Sequence, residues 1–367
     1  TYTLLLLAYA ASNLPYSALS GVLTGDMSER NSLSSYRFAA VMFAQFFVQV
    51  FMLPIILHVG NGDKAAGIES VMTWMAIIGT VLLLITFLTT KERVVPRPEQ
   101  QASLKEDLRD LFKNRPWIIM LTLTILVFVT LAMKGGSYVY YFNNYVDEAA
   151  LQSFIQPILD SLSAIGLNFF ESDIASAGFG LFNAGGIIFS MIGIAVSRKL
   201  ADKFGKRDVF GSTLFIATLF IASFIFYKPE DVRLMFLAQA LHMFFYGVTT
   251  PILWAMIADV ADYSEWINNR RATAIIFSAM MVGLKAGLAI GGAIVTWILG
   301  LYGYVSKDAA VAGQELVQPE SVAQGAKMLV SIYPSIPFLI GVALLFFYEI
   351  NKSKEVQIQK DLIERRQ

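Results

Sequence analysis

Two ammonium groups stand where hydrocarbon is expected. Lys134 and Lys285 lie inside the apolar runs 117–142 and 272–299. A charge at that depth is costly and marks a partner, an ion path or a bound ligand. No Asp or Glu lies well inside any of the apolar runs. The counter-charge must come from a carboxylate elsewhere or from an anionic substrate, unless the amine reaches the interface along its own stem. That escape is harder for Lys285, near the middle of its run. Around these lysines run stripes of polar side chains at three- and four-residue spacing, which share one helix face. One stripe is Tyr9, Asn13, Tyr16, Ser17 and Ser20. A second is Thr130, Lys134, Ser137, Tyr138 and Tyr141. A third is Gln239, His242, Tyr246, Thr249 and Thr250, with Pro251 just after. Such groups can bind a hydroxyl-rich solute in a wet cavity, or they can hydrogen-bond one helix to the next.

The elements that position these residues follow from composition. Of 367 residues, 56% are apolar and only 15% are charged. A helix needs about 20 apolar residues to cross the hydrocarbon core. Nine runs qualify: 2–24, 38–58, 70–90, 117–142, 174–197, 209–227, 234–257, 272–299 and 328–349. They are continuous and long, so they predict helices rather than the short alternating strands of a membrane barrel. Lys and Arg sort by side. The segments 25–37, 91–116, 198–208, 258–271 and 350–367 hold 21 of them, against 5 in the other four connections. The positive-inside rule makes the first set, and the C-terminal tail, cytoplasmic.

The longest inner connection, 91–116, separates three spans from six. Two prolines, Pro96 and Pro98, stiffen its start, and an amphipathic stretch follows in which Leu104, Leu108, Leu111 and Phe112 share a face. This predicts a remainder of one bundle over 1–90, an inter-bundle loop over 91–116, a six-helix bundle over 117–349 and a tail over 350–367. Residue 1 is Thr and opens inside an apolar run, as expected of a twelve-helix chain without its first three helices. On that count the striped helices are the fourth, seventh and tenth, which line the central cavity of a two-half transporter. The outer segment 143–173 is expected to hold a short interfacial helix around Phe154 to Leu167, with Pro157 in its first turn. Gly283, Gly287 and Gly291 recur every four residues, and the run 174–197 carries Gly178, Gly180, Gly185, Gly186 and Gly193, which predicts close helix packing.

Several classes are excluded. Cys is absent and there are two His, which removes disulfide frameworks, thiolate metal sites and His-rich metal cages. The formal net charge is zero, so nothing attracts nucleic acid. An intramembrane enzyme would need paired carboxylates, a Ser–His pair or metal ligands at depth, and His242 has no acidic neighbour in any span.

The segment Ala258 to Gly292, ADVADYSEWINNRRATAIIFSAMMVGLKAGLAIGG, resembles the glycoside–pentoside–hexuronide:cation symporters, the melibiose-permease-like branch of the major facilitator superfamily. NLPYSALSGVLTGDMSERNSLSSYRF, SYVYYFNNYV and SIYPSIPF are similar to other parts of the same family. The resemblance implies an all-α integral membrane protein with the major facilitator superfamily fold, nine of its twelve transmembrane helices present (helices 4–12), working by alternating access. It implies that Lys285 serves the sugar and cation sites, that Arg37 contacts sugar and that Tyr9 is a sugar-site aromatic. Asn13 stands where melibiose permease has a cation-binding aspartate, and a side-chain amide can still serve a sugar hydroxyl or a hard cation. Asp202-Lys203-Phe204-Gly205-Lys206-Arg207 looks like the superfamily's charged inner loop, with Arg198 in place of its usual opening glycine. With Asp259, Asp262, Glu265, Arg270 and Arg271 on another inner loop, Asp202 and Arg207 are expected to form a gate.

The expected activity is cation-coupled symport, with Na+ or H+, of a sugar, glycoside or hexuronide. The substrate-binding set is Tyr9, Asn13, Ser17, Arg37, Lys134, Tyr138, Tyr141, Gln239, His242, Tyr246 and Lys285, and the cation-coupling pair is Asn13 and Lys285. No cofactor is expected beyond the coupling ion. The expected partners are a small sugar or glycoside and the lipid bilayer, with no nucleic acid, and the expected form is a monomer in the cell's inner (plasma) membrane. Two readings stand beside this one: a carrier of lysolipid or another amphipathic solute, and a non-transporting sensor with the same fold. The chain as given, without helix one, is expected to be inactive.

Overall fold

The structure is a computed structural model. It describes residues 63–91, 111–164, 174–268, 273–305 and 318–366 continuously, with residue 109 and scattered positions between 4 and 61. Among the described residues the regular structure is helical, with no strand. Seven helical segments there are long and apolar enough to cross a membrane. The expected span 2–24 falls largely outside the described residues, whereas 40–48 within the expected span 38–58 is helical; Leu104, Leu108 and the loop around Arg270 and Arg271 lie outside the described residues. The chain divides into two compact units, Thr1–Gln101 and Ala102–Gln367.

The first unit contributes α1 (Lys64–Thr89). It starts where the Asp63 carboxylate accepts from the backbone N–H groups of Ala65 and Ala66, satisfying two of the donors a helix start leaves open.

The second unit is built on α2 (Arg115–Asn144) and α6 (Val232–Asn268). Asn114 caps α2 by accepting from the Trp117 N–H at 3.1 Å, and Pro116 occupies the first turn. Around α2 pack α7 (Thr273–Leu301), α8 (Glu320–Val330) and α9 (Ile332–Leu345). Against α6 pack α4 (Ile174–Phe204) and α5 (Lys206–Ala222), and α9 closes back onto α5. The core these helices share includes Met120, Leu123, Phe210, Leu214, Met256 and Phe338.

Glycine lets the closest pairs approach. A Cβ on Gly287 would lie 2.6 Å from the Ile125 carbonyl oxygen, and one on Gly291 would strike the carbonyl of Val129, so the expected seam on α7 seats against α2. On the other side Gly193 of α4 meets the Phe244 carbonyl, and Gly247 of α6 meets the Ser190 carbonyl.

Four boundaries differ from expectation. α6 runs eleven residues past the apolar run that ends at Ile257, to Asn268. No Gly or Pro stops it, and Val260, Ala261, Tyr263 and Ser264 are buried. The expected single span 328–349 breaks at Ser331, between α8 and α9; Pro334 lacks the N–H that would donate to the Val330 carbonyl in a continuing helix. The helix expected within 143–173, α3, is Glu148–Ala164, so Pro157 sits in its interior rather than its first turn. The Asp147 carboxylate accepts from the Ala150 N–H at 2.7 Å and sets the earlier start. The tail forms α10 (Lys352–Arg366), docked on α6, where the Trp266 indole donates to Asp361 at 2.8 Å. Within the inter-bundle stretch, Leu111 is buried and Phe112 is exposed, edge-on to Trp117.

Candidate functional site

The polar stripes on α2 and α6 face each other. Tyr138 and Gln239 are both buried, and the Tyr138 hydroxyl donates to Gln239 Oε1 at 3.0 Å. Gly186 of α4 makes room for that amide: a Cβ there would lie 3.2 Å from Gln239 Nε2. Lys134, one turn below Tyr138, is 5% exposed, and its Nζ lies 5.4 Å from the centre of the Tyr138 ring. A cation over an aromatic face is attracted by the ring's quadrupole. Among the described residues no carboxylate comes within ion-pair distance of this amine.

His242 completes the group. It is 1% exposed and lies within electrostatic reach of Lys134. Its Nδ1 is 3.0 Å from the Ala217 carbonyl oxygen of α5. A carbonyl only accepts, so Nδ1 carries the hydrogen and the neutral ring turns a lone pair outward at Nε2. That Nε2 is buried with no hydrogen-bond partner among the described residues. The imidazole stacks on Tyr246, centroids 6.0 Å apart, and Tyr246 stacks on Phe338 of α9 at the same spacing. Phe182 meets Tyr138 edge-on at 4.9 Å. An ammonium, an amide, a hydroxyl and an open imidazole nitrogen thus converge among aromatic walls. This is the chemistry that holds a polyol, with one cationic position for an acid.

The remaining stripe residues are spent elsewhere. Thr130 donates to the Pro334 carbonyl at 3.0 Å and ties α2 to α9. Ser137 bonds the Met133 carbonyl within its own helix. Tyr141 is fully buried against Met235 Sδ and stacks on Tyr145. Thr249 and Thr250 turn back to the Tyr246 carbonyl. Lys285 lies on an exposed face of α7, whereas Gly283, Gly287 and Gly291 bind the helix to α2. Tyr9 is half exposed in the other unit. Asn13, Ser17 and Arg37 lie outside the described residues.

Residues 1–352 match the family described as MFS/sugar transport protein. The chain belongs to that family. It is 30% identical over its whole length to YagG of Escherichia coli (strain K12), whose name assigns it provisionally to glycoside/cation symport, and it covers 72% of that protein. It is 31% identical to the inner membrane symporter YicJ of the same organism, over 94% of this chain and 67% of that one. It is 25% identical to the isoprimeverose transporter of Lactiplantibacillus pentosus, over 94% of this chain and 65% of that one. These relatives are membrane transporters, and so is this MFS/sugar transport protein.

The charged residues expected to form a gate arrange differently from the expected set. Lys206 of the Asp202–Arg207 loop, which the sequence reading passed over, holds the centre. Its Nζ donates to both Asp259 oxygens at 2.7 Å and lies 2.9 Å from Glu355 of the tail helix. Arg207 instead binds its neighbour Asp208 at 2.9 Å and the Tyr348 carbonyl at 3.3 Å. Asp202 sits in an exposed pair with Arg198 at 3.8 Å, and its carbonyl, with that of Lys203, receives the Lys352 amine. Asp262 and Glu265 flank this group on α6, and Arg270 and Arg271 are outside the described residues. The adjacent Lys206 and Arg207 of the loop read alike in sequence; the docking of the tail helix, which brings Glu355 to Lys206, picks Lys206 over Arg207.

Proposed function

We propose that this protein is a secondary transporter that carries a sugar, glycoside or hexuronide across the membrane by symport with Na+ or H+. The reading rests on one observation: the buried Lys134–Tyr138–Gln239–His242 group, with an open acceptor at His242 Nε2 and, among the described residues, no carboxylate beside Lys134. Sugar hydroxyls donate to Nε2 and to the Gln239 oxygen. A uronide carboxylate meets the ammonium, and that favours the acidic member of the substrate class. The names of the relatives, which include a glycoside/cation symporter and an isoprimeverose transporter, support the class. Alternating access then moves two bundles about a midplane site.

The test is uptake by vesicles carrying the protein, with a panel of neutral glycosides and glucuronides, under an imposed Na+ gradient, an imposed pH gradient or neither. Gradient-driven accumulation of at least one sugar class is expected. Equal, gradient-independent signals across the panel would defeat the reading and favour a lipid carrier or a sensor.

In this reading the Lys206–Asp259–Glu355 group is an inner gate, closed when the substrate site faces outward. Lys206 and Asp259 keep only 24% and 13% of their side-chain surface exposed, so their pairing exceeds that of an open surface pair. Reversing Lys206→Glu alone is expected to cut initial uptake rates about tenfold, and adding Asp259→Lys to restore most of the loss. A double variant as slow as the single one would remove the gate.

A further inference from the structure

A second concavity lies apart from the polar group, where α5 and α9 run side by side. It encloses 640 Å³, walled by Gly211 and Phe215 of α5 and by Leu345 and Phe346 beyond the end of α9, with Arg207 and Asp208 at its mouth. Gly211 leaves the floor of the groove bare, and a Cβ there would stand in ordinary contact, 3.4 Å from Leu345 Cδ1, so only a larger side chain would fill it. Its rims are apolar and uncovered. Phe215 is 43% exposed and Phe346 84%, and the same faces carry exposed Leu219, Ile336 and Leu339. On spans of a membrane transporter, uncovered apolar faces of this kind meet acyl chains.

The mouth is different. Arg207 uses Nε on Asp208 and Nη1 on the Tyr348 carbonyl, which fixes the guanidinium plane at the groove's end. Asp208 keeps 60% of its side-chain surface open. A cation and an anion therefore stand side by side, in a fixed order, at the end of an apolar channel. From Arg207 to Phe215 the channel runs about 12 Å at 1.5 Å per residue, the upper part of one leaflet of a ~30 Å core.

We propose that this groove binds a phospholipid whose headgroup carries a primary amine, the phosphatidylethanolamine class. The phosphodiester oxygens accept from Arg207, the ammonium donates to Asp208, and one acyl chain lies over Gly211 between Phe215 and Phe346. The charge order selects the head. A glycerol headgroup offers Asp208 no cation, and a choline headgroup offers it no N–H. The site is independent of which solute is transported.

The purified protein, titrated with equimolar phosphatidylethanolamine, phosphatidylcholine and phosphatidylglycerol of matched chains and read by native mass spectrometry, tests this. The ethanolamine lipid is expected to be retained about threefold over each of the others, the scale of one exposed charge pair. Asp208→Asn, at an exposed position, is expected to abolish that preference while lipid still binds. Gly211→Phe is expected to remove the adduct. Equal retention of the three lipids by the native protein, or an unchanged preference in Asp208→Asn, would overturn the proposal; the second variant settles the matter even if Gly211→Phe fails to fold.

Discussion

Lys134→Met is expected to lower uptake of an acidic glycoside about 10- to 100-fold, the range of one charge-assisted hydrogen bond in a dry site. Methionine keeps the unbranched stem and its packing and deletes only the ammonium. The same change should leave thermal stability unaltered or raised. Lys134 is buried with an aromatic face beneath it and no carboxylate within reach among the described residues, so folding around it carries a desolvation cost. Loss of transport together with retained stability is the signature of a group kept for a ligand. Lys134→Arg should not rescue, because a planar fork cannot occupy the place of a point charge over Tyr138. Radiolabelled glucuronide and glucoside, compared side by side, check the substrate arm. A loss equal for both would mean that Lys134 does not read a carboxylate.

Gly193→Leu is expected to destabilise the protein by about 3 kcal/mol or more and to abolish uptake with it. The reason is backbone contact. At Gly193 an added Cβ collides with the Phe244 carbonyl, and one turn along the same crossing Gly247 collides with that of Ser190. Neither obstacle is a flexible side-chain end, so α4 and α6 must part. Their separation would also take Gly186 away from Gln239. Gly185→Ala on the same helix is the control, since nothing lies within 4 Å of its Cβ position, and it should be near neutral. Melting in detergent, followed by intrinsic fluorescence, reads both. Equal melting temperatures for Gly193→Leu and the native protein would show that the α4–α6 seam can open without cost.

The helices were legible because a bilayer imposes one rule, length of apolar run, and seven of the expected spans coincide with helices to within a few residues at most ends. Legibility ended where something other than lipid decides. α6 continues to Asn268 because Tyr263 and Ser264 find burial beyond the membrane run, which composition reads as a polar loop. Spacing placed the stripe residues of α2 and α6 on common faces, yet it cannot tell a hydroxyl turned back on its own helix from one that faces a neighbour. Thr249 and Thr250 bond the preceding turn, while Tyr138 crosses to Gln239. His242's open nitrogen was hidden for a sharper reason. It is defined by the Ala217 carbonyl on another helix, which holds the opposite side of the ring. Lys285 and Lys134 read alike in sequence and stand in different surroundings, one on an exposed face and one enclosed.

The unusual length of α6 has a mechanical meaning. His242 and Asp259 are borne on one unbroken rod, about 25 Å apart along its axis at 1.5 Å per residue. A swing of about 5° around the imidazole end carries the far carboxylate about 2 Å sideways, which takes a 2.7 Å contact outside hydrogen-bond range. Pro251 lies between them and removes a stiffening bond from the shaft. On the proposed reading, the rod is a lever that turns a small adjustment around a captured solute into the making or breaking of the Lys206 contact at its other end.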